Sequence, residues 1–176
     1  MQQTINTQDV VADFFANGYR VSGAFSAGTR NLSDAVFDPN TSYLLITDAY
    51  LNPITDPATL SAYYKTMLLT KPNLDFLLTM NSQDAIRQDQ RFRTGKTFDV
   101  SIAMTVPFFE LQGKAQTISS SFNPRSFLSN EAGAFITLMD VTASCTFHPE
   151  IQYHGGAAIV NREKVCFLGE TSKMTS

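Results

Sequence analysis

A chain of 176 residues with 13 Lys+Arg, 16 Asp+Glu and a formal net charge of -3 has no general electrostatic attraction for nucleic acid or an anionic membrane. No uninterrupted apolar run approaches the roughly 18 residues of a transmembrane helix, and Met1 to Asn6 lack the basic start and apolar core of a secretory signal, so a cytoplasmic protein without membrane insertion is expected. Charged residues make up 16% of the chain, below the usual quarter; so sparse a charge points to a surface partly covered by a partner.

The first predicted element is a β-prone run, Val10 to Phe15, ended by Asn17-Gly18. Both of those residues tolerate positive φ, which makes the pair a strong hairpin signal. A second strand, Tyr19 to Phe25, alternates with Tyr19, Val21 and Gly23 on one face. Within the polar interval that follows, Asn31 to Phe37 reads either as one helical turn or as an irregular loop, ended at Asp38-Pro39. Tyr43 to Ala49 is the third strand. Asp56-Pro57 then carries a capping residue and a proline at the first helical position, which predicts a short helix through about Lys65. Strands four and five lie within Thr66 to Met80, hinged at Lys71-Pro72-Asn73.

About ninety residues later the order begins again. Phe109-Glu110-Leu111-Gln112-Gly113 matches Tyr19-Arg20-Val21-Ser22-Gly23, Ala134 to Leu138 matches Tyr43 to Thr47, and Val160 to Leu168 matches Leu69 to Leu77. Three correspondences in one order predict a duplicated β unit: a first unit over 8–80, a polar linker over 81–97, a second unit over 98–170 and a tail over 171–176. The second unit has no counterpart of the Asp56-Pro57 helix start, and Gly155-Gly156 reads there as a turn. Gly23 and Gly113 are predicted to occupy equivalent bent strand positions, where a side chain would collide with the curling sheet.

A strand with a mid-strand glycine, a polar interval, an apolar strand and two strands hinged at a tight turn together resemble the Sm-like fold. Arg20 to Gly23, Arg30-Asn31-Leu32-Ser33-Asp34, Ile46-Thr47-Asp48-Ala49 and Val160-Asn161-Arg162 are similar to the words of a short bacterial Sm-like family of unknown function. The resemblance implies a mainly β protein made of two tandem small Sm-like β-barrel units with short helices. The RNA-binding turns of Sm-like and Hfq-type proteins are replaced here by Lys71-Pro72-Asn73 and Asn161-Arg162-Glu163-Lys164, so the resemblance carries fold further than activity.

Candidate chemistry is sparse. Cys145, His148, His154 and Cys166 cluster in the second unit and form a weak zinc candidate, but the paired Cys-x-x-Cys halves of a structural site are missing. Reduced, buried thiols and solvated imidazoles are the preferred reading. No Gly-x-Ser-x-Gly elbow or phosphate-binding glycine loop is present, so neither catalysis nor a cofactor is expected. Asp48 and Asp56 read as loop and capping residues rather than an acid/base pair. The strongest binding signal is Arg87, Arg91, Arg93 and Lys96 with Phe92 and Phe98 interleaved, a candidate surface for a partner or for single-stranded nucleic acid. Short open-edged β units are sticky until their edges are paired, and the expected role is that of a non-catalytic scaffold. Such a protein assembles into homo-oligomers and binds a protein partner through edges such as Val10 to Phe15 or Leu74 to Met80; RNA or single-strand binding is the alternative.

Overall fold

Asn17 and Gly18, with φ of 50° and 77°, close the first hairpin of the computed structural model, which describes residues 9–26, 30–91, 95–130 and 133–172. β1 (Val10–Ala16) turns there into β2 (Tyr19–Phe25). α1 (Leu32–Phe37) follows, with Asn31 as its cap: the Asn31 side-chain oxygen accepts from the Asp34 N–H at 2.8 Å. β3 (Tyr43–Pro53) and β4 (Ala62–Thr70) form the next hairpin, and a 3₁₀ turn over Lys71–Asn73 leads to β5 (Phe76–Thr79). A 3₁₀ turn at Ser82–Ala85 and α2 (Gln88–Arg91) fill part of the connection. The second half repeats the order with β6 (Phe98–Val106), β7 (Phe109–Thr117), α3 (Pro124–Asn130), β8 (Phe135–Cys145), β9 (Gln152–Asn161), a 3₁₀ turn at Arg162–Lys164 and β10 (Phe167–Glu170).

The protein is mainly β, but the strands do not close into two barrels. All ten lie in one open antiparallel sheet in the order β10-β6-β7-β8-β9-β5-β1-β2-β3-β4. Each half contributes five neighbouring strands in the same internal order, and β5 of the first half pairs with β9 of the second, Phe76 opposite Val160 and Thr79 opposite Ala157. Pairing with the other half occupies the side of the strand that barrel closure would have needed. β1 lies between β5 and β2, and β5 between β9 and β1. The docking edges expected at Val10 to Phe15 and Leu74 to Met80 are therefore interior strands, with both backbone sides engaged.

Two local expectations also change. The segment after Asp56 forms no helix: Thr59 N–H donates to the Asp56 carbonyl and Ser61 N–H to the Leu51 carbonyl, which makes a hairpin loop. The buried Asn52 holds that loop by donating to the Thr59 carbonyl at 2.9 Å. The chain beyond it, rich in Tyr and Thr, gains a full strand of pairing with β3, from Ala62 opposite Leu51 to Thr70 opposite Tyr43. Gly155 and Gly156 lie inside β9 and form no turn; a Cβ on Gly156 would meet the Met80 carbonyl oxygen at 2.4 Å, so the glycine lets the outgoing connection pass against the strand.

Two clusters of buried side chains form the core, and each crosses the midpoint of the chain. Phe15, Ile54, Phe76 and Leu78 of the first half pack with Val106, Phe109, Leu111 and Tyr153 of the second. Phe135, Ala157 and Ile159 of the second half pack with Phe14, Leu32, Val36 and Leu77 of the first. The connection contributes as well, because Ala85 is fully buried in the latter cluster. The halves thus repeat one element order and share their interior.

Candidate assembly surface

Among the described residues the two outermost strands, β4 and β10, are each paired on one side only, β4 with β3 and β10 with β6. They are the counterparts of β9 and β5, the strands that meet in the middle of the sheet. Aligning the halves through Leu69/Val160 sets Phe167 in the place of Phe76 and Leu68 in the place of Ile159. Phe76 and Ile159 are each 0% exposed, whereas Phe167 is 75% and Leu68 56% exposed. The same contrast separates Phe109, at 2%, from Tyr19, at 42%. At equivalent positions of one architecture, apolar side chains are buried where the other half covers them and bare where nothing does. Leu45 and Leu68 are paired across β3 and β4, with Tyr43 also exposed on β3, so the bare residues extend from the edge onto the adjoining strand.

The central seam shows what satisfies such a pair of edges. Phe15 stacks on Phe76 with ring centroids 4.3 Å apart, and both meet the edge of Phe109 at 5.1 Å. The Arg20 guanidinium lies 5.2 Å from the centre of the Tyr153 ring, reaching across from the first half. Asn161 seals the end of the seam, its side-chain amide donating to the Leu74 carbonyl at 3.0 Å and its backbone N–H to the Asp75 carbonyl at 2.9 Å.

Asp75, at the same place, is buried, and loss of hydration pushes its carboxyl above the ordinary aspartate range; nearby Lys164 and the Asn17 N–H pull the other way. The folded state therefore favours the protonated acid. The associated stability is present below the unfolded pKa of about 3.9 and is lost as pH rises through the elevated folded value. Asp75→Asn keeps an acceptor for Asn17 and carries no charge. It is expected to raise the melting temperature at neutral pH and to flatten the loss of stability between about pH 4 and neutrality, measured by thermal unfolding across pH. A lower melting temperature at neutral pH would show that attraction to Lys164 outweighs burial.

Gly23 and Gly113 sit at matching register breaks. The β2/β3 pairing shifts between Ser22 and Ala24, and the β7/β8 pairing shifts between Gln112 and Lys114. Opposite them, Asp48 and Asp140 adopt left-handed conformations with φ of 49° and 50°. A Cβ on Gly23 would lie 2.5 Å from Ile46 Cγ2, and one on Gly113 would lie 3.0 Å from the Met139 carbonyl oxygen. At Gly23 the approach leaves room only for hydrogen, whereas at Gly113 a Cβ would require its neighbours to give by a few tenths of an ångström. Asp48 also accepts from the Tyr63 hydroxyl at 2.6 Å, so it is no loop residue but ties the bulge of β3 to β4, whereas Asp56 accepts from the Thr59 hydroxyl at 2.6 Å within the hairpin loop.

The basic cluster of the connection is engaged within the chain. Arg87 pairs with Asp89 at 3.0 Å and covers the Phe37 ring at 5.2 Å, Arg91 donates to the Gln83 carbonyl, and Lys96 lies 5.1 Å from the centre of the Phe98 ring. Arg93 and Phe92 lie outside the described residues. The Cys/His cluster does not converge: among the described residues no three His, Cys, Asp or Glu side chains are placed to hold a metal ion. Cys145 is buried in β8, His148 faces Glu150 at 3.3 Å and His154 faces Thr142 at 3.1 Å. Cys166 is exposed rather than buried, because it immediately precedes the uncovered edge strand β10.

Two hollows accompany these surfaces. A shallow groove of about 400 Å³ runs beside β10, lined by Met104, Glu110, Phe167 and Leu168. A second, of about 310 Å³, lies where the halves meet, between Phe37, Lys71, Phe135 and Asn161. Lys71 is buried there, its ammonium donating to the Asp38 carbonyl and the Thr41 hydroxyl at 2.8 Å each, and burial lowers its pKa.

The exposure of Leu68 and Phe167 on the edge strands, and of Tyr19 and Tyr43 on β2 and β3, was not expected from the sequence. A signal existed: Tyr63-Tyr64-Lys65-Thr66-Met67-Leu68-Leu69 lacks strict apolar/polar alternation, the pattern of a strand covered on both faces, yet most of these residues are exposed. Among the described residues, no helix is long and apolar enough to cross a membrane. No family model, curated protein or solved structure matches the chain.

Proposed function

We propose that this is a non-catalytic cytoplasmic scaffold, built of two Sm-like units, that works by strand addition at the two ends of its sheet. The observation that carries this reading is the pair of uncovered edges, β4 and β10, bearing exposed Leu68 and Phe167 where the matching Ile159 and Phe76 are buried. An edge strand offers unpaired N–H and C=O groups to any chain of suitable shape. Natural sheets ordinarily blunt such edges with charge or proline; here Lys65 is the lone charged residue of β4 and Glu170 that of β10.

Mass in solution, read together with the absorbance ratio of freshly purified protein, tests this function. The expected result is a particle well above 19.4 kDa, free of nucleic acid and unchanged at high ionic strength, because backbone pairing and apolar burial are little screened by salt. An excess at 260 nm that salt removes would replace the scaffold with single-strand binding, since phosphate contacts are strongly salt-dependent. A strictly monomeric protein at high concentration would overturn the scaffold reading.

A further inference from the structure

We infer that the occupant of each uncovered edge is a second copy of this chain, bound head to tail, with β10 of one copy antiparallel to β4 of the next. The inference rests on the scaffold reading and adds the partner and the register. The seam inside the chain supplies the template. There the fifth strand of one half pairs with the fourth strand of the other, Phe76 opposite Val160, Leu77 opposite Ile159, Leu78 opposite Ala158 and Thr79 opposite Ala157. Transferred to the free edges, this register sets Phe167 opposite Leu69, Leu168 opposite Leu68, Gly169 opposite Met67 and Glu170 opposite Thr66.

The side chains around the edges agree with that placement. Phe76 meets Phe109 edge-to-face across the seam, and the counterparts of these two rings are both exposed, Phe167 on the edge strand β10 and Tyr19 on β2, two strands in from the other edge. A neighbouring copy would bring them together. Among the described residues β10 pairs only with β6, which leaves its outer backbone side without a strand partner, and a Cβ on Gly169 would meet nothing within 4 Å, so the sheet face at that position is open as well. One end of the sheet presents a fourth strand and the other a fifth, so the contact joins two different surfaces. Repeated contacts of that type continue until a ring closes or an open chain of copies forms.

Two exposed side chains allow each end to be blocked separately. Leu68→Lys places a charge in the β4 contact and Phe167→Glu places one in the β10 contact, and neither side chain is buried within the single chain. Each variant alone is expected to lose the higher assemblies, while an equimolar mixture forms a complex of one copy of each, because the β10 edge of the first variant and the β4 edge of the second remain intact. Light scattering after gel filtration reads the masses, and unchanged circular dichroism verifies the folds. Variants that are monomeric alone and stay monomeric when mixed would overturn the head-to-tail contact and leave edge-mediated scaffolding standing. Variants that keep the wild-type mass would overturn the use of these edges.

The register has its own readout. In a Cys166→Ser background, Leu68→Cys combined with Leu168→Cys is expected to cross-link into multimers with a short bismaleimide. Tyr64→Cys combined with Leu168→Cys places the thiols four residues out of register and should not. The reverse pattern would overturn the proposed alignment.

Discussion

Replacing Gly23 by valine is expected to cost about 3 kcal/mol or more, as overpacking against a fixed neighbour does. A Cβ there would stand 2.5 Å from Ile46 Cγ2, 3.0 Å from the Thr47 carbonyl oxygen and 3.2 Å from Ala49 Cα. Ile46 is itself fully buried and cannot swing away into solvent. For a chain of this size such a loss lowers the melting temperature by about 6–12 °C. Gly113→Val should cost less, since its closest encounters, with the Met139 carbonyl oxygen and Val141 Cγ2, are at 3.0 Å. Thermal unfolding of both variants measures the order. Equal, small shifts would mean that the bulges relax and that the glycines do not hold the bend.

Phe15→Ala is the second large effect, at about 3–5 kcal/mol for removing a fully buried phenylalanine. Its consequence should reach beyond its own half. Phe15 belongs to β1, yet it stacks on Phe76 and lies edge-on to Phe109 and Tyr153, inside the cluster that contains Cys145. The rate at which a thiol reagent reaches Cys145 in a Cys166→Ser background is therefore expected to rise in step with the loss of global stability. A large fall in melting temperature with Cys145 still fully protected under native conditions would show that the halves open independently.

Local chemistry made part of this fold readable. Asn17-Gly18 announces a hairpin because few other residue pairs accept two successive positive φ values, and Lys71-Pro72-Asn73 marks the hinge that proves to be a 3₁₀ turn. The same kind of signal misleads at Asp56-Pro57, where a helix start is written in the sequence but pairing of Ala62–Thr70 with β3 offers more. At Asn123-Pro124 a comparable start is real. The Asn123 carbonyl accepts from the Phe127 N–H at 2.9 Å and its side chain from the Ser126 N–H at 3.1 Å, capping α3. Two cap-and-proline signatures thus have opposite outcomes, decided by whether a strand lay waiting alongside.

The order of the strands was harder to read than their existence. Nothing in Phe76 to Thr79 announces that its outer neighbour will be Ala157 to Val160, because that pairing joins residues about eighty positions apart. Which neighbours the candidate binding residues would find was equally invisible: Arg87 pairs with Asp89, Arg91 with the Gln83 carbonyl and Lys96 lies over Phe98, while Arg91 and Lys96 stay exposed. Exposure at Phe167 depends on which strands end the sheet, and the unalternating run around Leu68 marks a covered strand without saying what covers it.

That long-range pairing also has a meaning in time. A ribosome that has finished β5 must add roughly seventy more residues before β9 begins, which at about 5–20 residues per second takes several seconds. Throughout that interval β5 lacks the strand that pairs its outer side in the finished protein, and Phe76 has Phe15 to stack on but not Phe109. On a polysome, neighbouring nascent chains carry the same bare strands close together. Growing chains are thus most exposed to pairing with one another before the segment that is meant to cover them has been made.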